Sequence, residues 1–182
     1  MSDPNRAPVR LLIVGLGNPM MADDGVGHAV VAALGCFDLP QHVRLLVIDD
    51  DLLALTRMWE GERTVWIVDA VSSNAPAGTR HVFGHHDLLQ LPAGGRLSAH
   101  HLSLGESLRW ILLARPEMSA VEFRLFGIEV GVVSPRCGLT DTVLESVTDL
   151  VKDIRIAIRK DAAWSSGGES LPGGRAREVI SS

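Results

Sequence analysis

The chain has 182 residues, of which 17 are lysine or arginine and 22 are aspartate or glutamate, so its formal net charge is −5. This length fits a single domain with a sizeable core. The sequence has no basic cluster that could follow a phosphate backbone, so nucleic acid is not an expected partner. The first nine residues are polar, unlike a signal peptide, and no apolar run approaches the roughly 20 residues of a membrane helix. We therefore expect a cytoplasmic protein without membrane contact.

Strands and helices alternate along the first part of the chain. Residues 11–14 are apolar and β-branched and predict a buried strand, and residues 26–34 have the apolar spacing of a helix. A second strand is predicted at 42–48, followed by a short helix whose N-terminus is capped by the acidic run 49–51. The third strand, 64–68, is a continuous apolar run, as expected when helices cover both faces of a sheet.

The second part of the chain continues this alternation. After a turn, residues 79–83 alternate in polarity and predict an antiparallel edge strand, and the segment from there to residue 102 is predicted to consist of loops. Ser103 and Glu106 have the spacing of a capping box, which predicts a helix. Residues 121–126 predict a fifth strand. The final helix is predicted from an apolar stripe formed by Val143, Val147, Leu150, Ile154 and Ile158.

This element order predicts an α/β domain with three layers, in which helices cover both faces of a mostly parallel, twisted sheet of about five strands. We expect a flexible N-terminus at 1–9, one α/β domain at 10–162 and a disordered tail at 163–182, which is rich in serine and glycine. Thr140 or Thr142 is the expected cap of the last helix. Both cysteines, Cys36 and Cys137, are expected to be buried as small hydrophobes.

Acidic and imidazole side chains are predicted to converge on one edge of the sheet. Asp23 and Asp24 lie in the turn after the first strand, Asp69 closes the third strand, and a histidine, His100 or His101, precedes the capping-box helix. Ligands of open parallel sheets bind outside the carboxyl ends of the strands. Two carboxylates and one imidazole suit nickel, zinc or a similar ion. Helix capping, backbone hydrogen bonding and surface exposure are the structural alternatives.

Other reactive groups do not suggest a site. Neither a GxSxG nucleophile elbow nor a CxxC pair is present, and the glycine-rich turn departs from the GxGxxG pattern of dinucleotide-binding proteins. We expect structural or exposed positions for the remaining histidines, which are His28, His42, His81, His85 and His86.

Several segments, in order, resemble the hydrogenase maturation proteases. Members of this family are endopeptidases that remove the C-terminal extension from the large subunit of nickel-iron hydrogenases. The resemblance spans about residues 10 to 155. It is carried by GLGNPMMADDGVG at 15–27, VWIVDAV at 65–71, LSAHHLSLGE at 97–106, LFGIEVG at 125–131 and GLTDTV at 138–143.

The resemblance implies a phosphorylase/hydrolase-like α/β/α fold and assigns the metal-contacting positions to Asp24, Asp69 and His100, with His101 as the alternative imidazole. It also implies that nickel arrives already bound to the precursor of the hydrogenase large subunit, which is the expected protein partner. Zinc or cadmium could take the place of nickel in a crystal. A water activated by the metal or by a carboxylate, with Asp23 one candidate beside Asp24 and Asp69, would attack the scissile bond.

Two other functions share parts of this pattern. The GLGNP opening also resembles peptidyl-tRNA hydrolase, but the Tyr-x-x-Thr-Arg-His-Asn continuation of that family is absent and an acidic protein suits tRNA badly. A non-catalytic chaperone that binds nickel on immature hydrogenase would use the same three ligands as the protease.

Overall fold

The computed structural model describes residues 10–49, 51–90 and 103–164, with only the backbone described for 161–164. Within these residues, five strands form one sheet in the order β2-β1-β3-β5-β4. Strands β1, β2, β3 and β5 are parallel, and β4 is the antiparallel edge strand. The strands are β1 at Leu11–Leu16, β2 at Val43–Ile48, β3 at Thr64–Val71, β4 at Arg80–Phe83 and β5 at Glu122–Glu129. The predicted mostly parallel, five-stranded sheet is confirmed.

Helices cover both faces of this sheet, which confirms the three-layer prediction. Helices α1 and α5 pack on one face, and α2, α3 and α4 pack on the other. Short 3-10 turns at Ala22–Gly25 and Leu52–Ala54 precede α1 and α2, and a third at Pro116–Ala120 precedes β5. The helices are α1 at Val26–Gly35, α2 at Leu55–Met58, α3 at His85–Gln90, α4 at Leu104–Ala114 and α5 at Asp141–Trp164.

Strand β3 is buried on both faces because it lies in the centre of the sheet. Side chains alternate between the faces of a strand, so Val65, Ile67 and Val71 join the core under α4. Trp66 and Val68 join the core under α1 and α5. This alternation places Asp69 on the α4 face.

Local sequence signals account for the ends of several helices. The Ser103 hydroxyl accepts a hydrogen bond from the Glu106 amide at 3.3 Å, and the Glu106 carboxylate accepts one from the Ser103 amide at 3.1 Å, so the capping box is confirmed. The Asp51 carboxylate accepts a bond from the Leu53 amide at 2.9 Å and caps the turn that leads to α2. All five residues of the predicted α5 stripe are buried.

Helix α3 and the two cysteines differ from the sequence prediction. Residues 85–90, predicted as loop, form α3, whose start is held by a 3.1 Å bond from the Gly84 amide to Asp87. The helix has one turn and a half and only Leu88 is buried in it, so it leaves little periodic signal. Cys36 and Cys137 are exposed, so the expectation of buried cysteines is wrong; both lie in connecting segments outside the strands.

Strands β3 and β5 also extend further than predicted. β3 continues to Val71, so Asp69 lies within the strand and pairs with Gly127 of β5 instead of closing β3. β5 likewise continues past Gly127 to Glu129. Pairing between the two neighbouring strands extends both of them, and a polar or glycine residue alone does not end a strand that has a partner.

Some predictions fall on residues outside the described ranges. These include the flexible N-terminus at 1–9, both histidines His100 and His101, and all of the predicted tail except residues 163 and 164, which belong to α5. Among the helices that are described, none combines the length and apolar character needed to cross a membrane.

Candidate active site at the carboxyl edge of the sheet

The turn after β1 folds back tightly onto Asp24. Gly17 has φ 120°, and a Cβ atom there would lie 1.9 Å from the Asp24 carbonyl oxygen, so the turn requires glycine at this position. The next amide, that of Asn18, donates a 2.8 Å hydrogen bond to Asp24 Oδ2. The glycine and the amide together fix Asp24 beside the end of β1.

Helix α1 begins directly against the ends of β1 and β3. A Cβ atom on Gly27 would lie 2.2 Å from the Leu16 carbonyl oxygen and 2.6 Å from the Val68 carbonyl oxygen. Only a residue without a side chain allows the helix to approach the two strands this closely. The Asp24 turn is therefore held at the carboxyl ends of both strands.

The order of the strands places the Asp24 turn at the ligand-binding crevice of the sheet. β2 and β3 lie on opposite sides of β1, and ligands of open α/β sheets bind where the strand order reverses in this way. Asp69 directly follows Val68. Val68 lies opposite Gly15, and these two residues form the last pair between β3 and β1. Its Oδ1 accepts a 2.8 Å bond from the Ala70 amide, and the residue is 1% exposed. Asp69 thus lies where β1 has ended, on the edge that also carries Asp24.

One buried carboxylate oxygen of Asp24 meets no donor among the described residues. Asp24 is 5% exposed; within the described ranges its Oδ1 has no hydrogen-bond partner, whereas its Oδ2 accepts a bond from the Asn18 amide. Buried carboxylate oxygens that lack a donor or a cation destabilise a fold, so they are uncommon unless a ligand satisfies them. An unsatisfied carboxylate oxygen in a sheet crevice is a suitable ligand for a hard or borderline metal ion.

Asp23 has the opposite environment, although it is the adjacent residue. Its carboxylate accepts bonds from the amides of Gly131 at 3.1 Å, Val132 at 2.9 Å and Thr140 at 2.7 Å, and from the Thr140 hydroxyl at 3.1 Å. Burial by itself would raise the pKa of Asp23, but the bonds from Thr140, Val132 and Gly131 outweigh it and lower the pKa below its ordinary value of 3.8. Asp23 therefore joins three parts of the chain and is poorly suited to accept a proton.

Glu129 is a buried acidic residue of this edge that sequence reasoning did not single out. It is 2% exposed and accepts bonds from the Ser73 amide at 2.7 Å and the Ser73 hydroxyl at 2.8 Å. His81 Nε2 lies 3.2 Å from the same carboxylate. Glu129 thus anchors the loop after β3 to β4 and β5. The available signal was an acidic residue directly after residues 125–128, which are apolar or glycine.

The structure brings Asp24 and Asp69 to one edge, whereas the proposed imidazole ligand, His100 or His101, lies outside the described residues. The residues that are described contain no group of three His, Cys, Asp or Glu side chains that could hold a metal ion. The three-ligand site therefore stays a prediction. Other histidines have structural contacts: His85 Nδ1 accepts a 3.2 Å bond from the Phe123 amide, and His28 Nε2 lies 3.0 Å from Asp49.

Comparisons with known proteins identify relatives along nearly the whole chain. No protein-family model matches it. The hydrogenase 2 maturation protease of Escherichia coli is 27% identical over 175 residues, which cover 94% of this chain and 99% of the relative. Protein FrxA of Pyrococcus furiosus is 29% identical over 119 residues, covering 65% of this chain and 82% of the relative.

Solved structures share the fold. The [NiFe] hydrogenase maturation protease HybD from Thermococcus kodakarensis matches with a TM-score of 0.70 and 23% identity, covering 82% of this chain and 99% of that one. The hydrogenase maturating endopeptidase HybD from E. coli matches with a TM-score of 0.71 and 23% identity, covering 84% and 93%. The ordered motifs, the crevice with Asp24 and Asp69, and the relative that matches nearly the whole chain all make this chain similar to the hydrogenase maturation proteases.

Proposed function

We propose that the protein is an endopeptidase that removes the C-terminal extension from the precursor of a nickel-iron hydrogenase large subunit after nickel has been inserted. The relative that matches nearly the whole chain is a hydrogenase maturation protease. The structural observation that carries the proposal is the buried Oδ1 of Asp24, which has no hydrogen-bond partner among the residues that the structure describes and lies in the crevice that also holds Asp69. Neither relative named above is a peptidyl-tRNA hydrolase, so that alternative gains no support.

Nickel enters this proposal as part of the substrate. Asp24 Oδ1 and the Asp69 carboxylate supply oxygen ligands, and His100 supplies a nitrogen ligand, a donor set that suits nickel. A precursor that carries the ion compensates the buried charge of Asp24 when it binds. A precursor without the ion leaves that charge uncompensated, so the protein discriminates in favour of the nickel-loaded form.

The proposed reaction is metal-assisted hydrolysis of a peptide bond. Asp24 and Asp69 would hold the precursor's nickel, which when bound would supply Lewis-acid chemistry close to the scissile bond. A water molecule adds to the scissile carbonyl carbon, the C–N bond breaks, and a proton passes to the leaving amine. Asp23 contributes by fixing the turn that presents Asp24, because its own carboxylate already accepts four hydrogen bonds.

The direct test is to mix the purified protein with nickel-loaded precursor and to measure the mass of the precursor over time. We expect the wild-type protein to release the C-terminal peptide, and we expect Asp24→Ala and Asp69→Ala to lose this activity. Asp38→Ala is the matched control, since Asp38 is exposed and follows the far end of α1. Cleavage by the two site variants at the wild-type rate would refute the roles assigned to Asp24 and Asp69.

The same experiment tests the non-catalytic alternative. A stable complex in which the nickel-loaded precursor keeps its full mass would indicate a chaperone instead of a protease. Precursor without nickel is the second control, and we expect it to remain uncleaved. Release of tRNA from a peptidyl-tRNA substrate would contradict the proposal.

A further inference from the structure

Apolar side chains are exposed on two loops beside the candidate active site. On the loop after β1, Met20 is 60% exposed; on the loop after β5, Val132 is 37% exposed and Val133 is 45% exposed. Cys137 is also exposed, and its Sγ lies 3.7 Å from Met20 Sδ. We call these four residues the apolar rim. Clustered apolar exposure of this kind typically marks an interaction site.

Backbone hydrogen bonds hold the two loops of the apolar rim together. The Arg136 amide donates to the Met20 carbonyl oxygen at 3.0 Å, and the Ala22 amide donates to the Arg136 carbonyl oxygen at 2.8 Å. The Asp23 amide donates to the Val132 carbonyl oxygen at 3.1 Å. The rim is therefore formed before any partner binds, which reduces the entropy lost on binding.

The apolar rim is continuous with the carboxylates of the crevice. Asn18, whose amide donates to Asp24, also accepts a 2.9 Å bond from the Met20 amide through its side-chain oxygen. Val132 donates its amide to Asp23. A bound peptide that contacts Asp24 can therefore also contact the apolar rim along the same edge of the sheet.

We propose that the apolar rim binds an extended, apolar segment of the precursor next to the scissile bond. This inference rests on the proposed function and deepens it by assigning a substrate subsite. The crevice is acidic and attracts the precursor at one point only, through its nickel ion, so a further contact is needed to align the peptide. The adaptable thioether of Met20 and the two exposed valines supply apolar contact without requiring one particular sequence.

The test is a kinetic comparison of exposed apolar residues on and off the rim. We compare Met20→Ser/Val133→Ser with the control Val82→Ser/Leu113→Ser, whose residues are 62% and 70% exposed on β4 and α4. We expect the rim variant to raise KM for nickel-loaded precursor about tenfold with kcat changed less than about twofold. We expect the control to keep both constants. All four positions are exposed, and thermal unfolding checks that each variant is folded.

The outcomes separate this inference from the proposed function. Cleavage by the wild-type protein with equal KM values for rim and control variants overturns the rim while leaving the protease assignment intact. A tenfold rise in KM for both variants also overturns it, because the effect would not be specific. Failure of the wild-type protein to cleave overturns the proposed function. In that case, precursor binding is measured instead. A higher Kd for the rim variant, but not for the control variant, supports the rim as a docking surface, and equal Kd values for the two variants overturn it.

Discussion

Buried carboxylates lie at the amino ends of the strands (the amino edge) and at their carboxyl ends (the carboxyl edge), but the chain compensates their charges differently. At the amino edge, Glu62 is 1% exposed, and Arg44 Nε donates to its Oε1 at 2.6 Å. The Glu60 amide donates to the other oxygen at 2.8 Å. At the carboxyl edge, Asp24 is 5% exposed, and one of its oxygens has no partner within residues 10–49, 51–90 and 103–160. No ion pair joins Asp24 to a cation in the described part of the chain.

The difference separates a structural carboxylate from one available to a ligand. A buried charge destabilises a protein unless an opposite charge and hydrogen bonds compensate it. Arg44 provides that compensation for Glu62 within the chain. No described residue provides such compensation for Asp24, so we expect the positive charge to come from outside, with the precursor. Substitutions at both edges test this distinction.

The largest expected effect is at Asp24. Asp24→Asn keeps the size of the side chain and an acceptor for the Asn18 amide, but it removes the charge. We expect the single-turnover rate of precursor cleavage to fall about a thousandfold, with the free energy of unfolding unchanged or higher. Rapid-quench cleavage and urea unfolding measure the two quantities. A substantial loss of stability in this variant would show that the Asp24 charge is structural after all.

The converse is expected at the amino edge. Arg44→Met leaves Glu62 buried without its cation, and we expect the free energy of unfolding to fall by about 4 kcal/mol. The folded variant should cleave at the wild-type rate, because Arg44 lies at the opposite edge from the crevice. Adding Glu62→Leu should restore most of the stability. If the double variant is no more stable than Arg44→Met, the loss does not come from an uncompensated charge.

A substitution at Asp23 tests whether the first acidic residue of the turn is structural. Asp23→Asn places an amide donor against groups that already donate, and we expect a loss of about 3 kcal/mol of unfolding free energy at neutral pH. Because the folded state lowers the pKa of Asp23 below 3.8, its stabilisation is present above that pH and is lost as the pH falls through the folded-state pKa. Between pH 2 and 7, the free energy of unfolding measured with urea should therefore change less in the variant than in the wild-type protein. An unchanged acid profile would contradict this assignment.

The smallest expected effect is at the capping box of α4, which lies at the carboxyl edge. Ser103→Ala removes the acceptor of the Glu106 amide, and we expect a loss of about 1 kcal/mol. Ser103→Thr, which keeps a hydroxyl that can accept from the Glu106 amide and donate to the Glu106 carboxylate, is the matched control and should retain the stability in thermal unfolding. Equal losses in the two variants would show that the cap does not depend on an acceptor side chain.

Local patterns predicted those parts of the fold in which the deciding contacts are close in sequence. The Ser103 and Glu106 spacing predicted the start of α4, and the apolar stripe predicted α5. Helix α3 was missed because its six residues contain a single buried one, Leu88. The ends of β3 and β5 were missed because pairing between Asp69 and Gly127, which are far apart in the chain, extends both strands.

The sequence by itself determined the order of strands and helices, the glycine turn and the presence of carboxylates after strands, because hydrophobic periodicity and backbone preference act over a few residues. Only the tertiary structure explained why Asp23 and Asp24 differ. Local pattern does not separate these neighbours, and only the resemblance singled out Asp24 as a ligand, yet Asp23 receives hydrogen bonds from Gly131, Val132 and Thr140. Those donors come from residues 108 to 117 positions away, and they reach Asp23 only after the sheet has brought the ends of β1 and β5 to one edge.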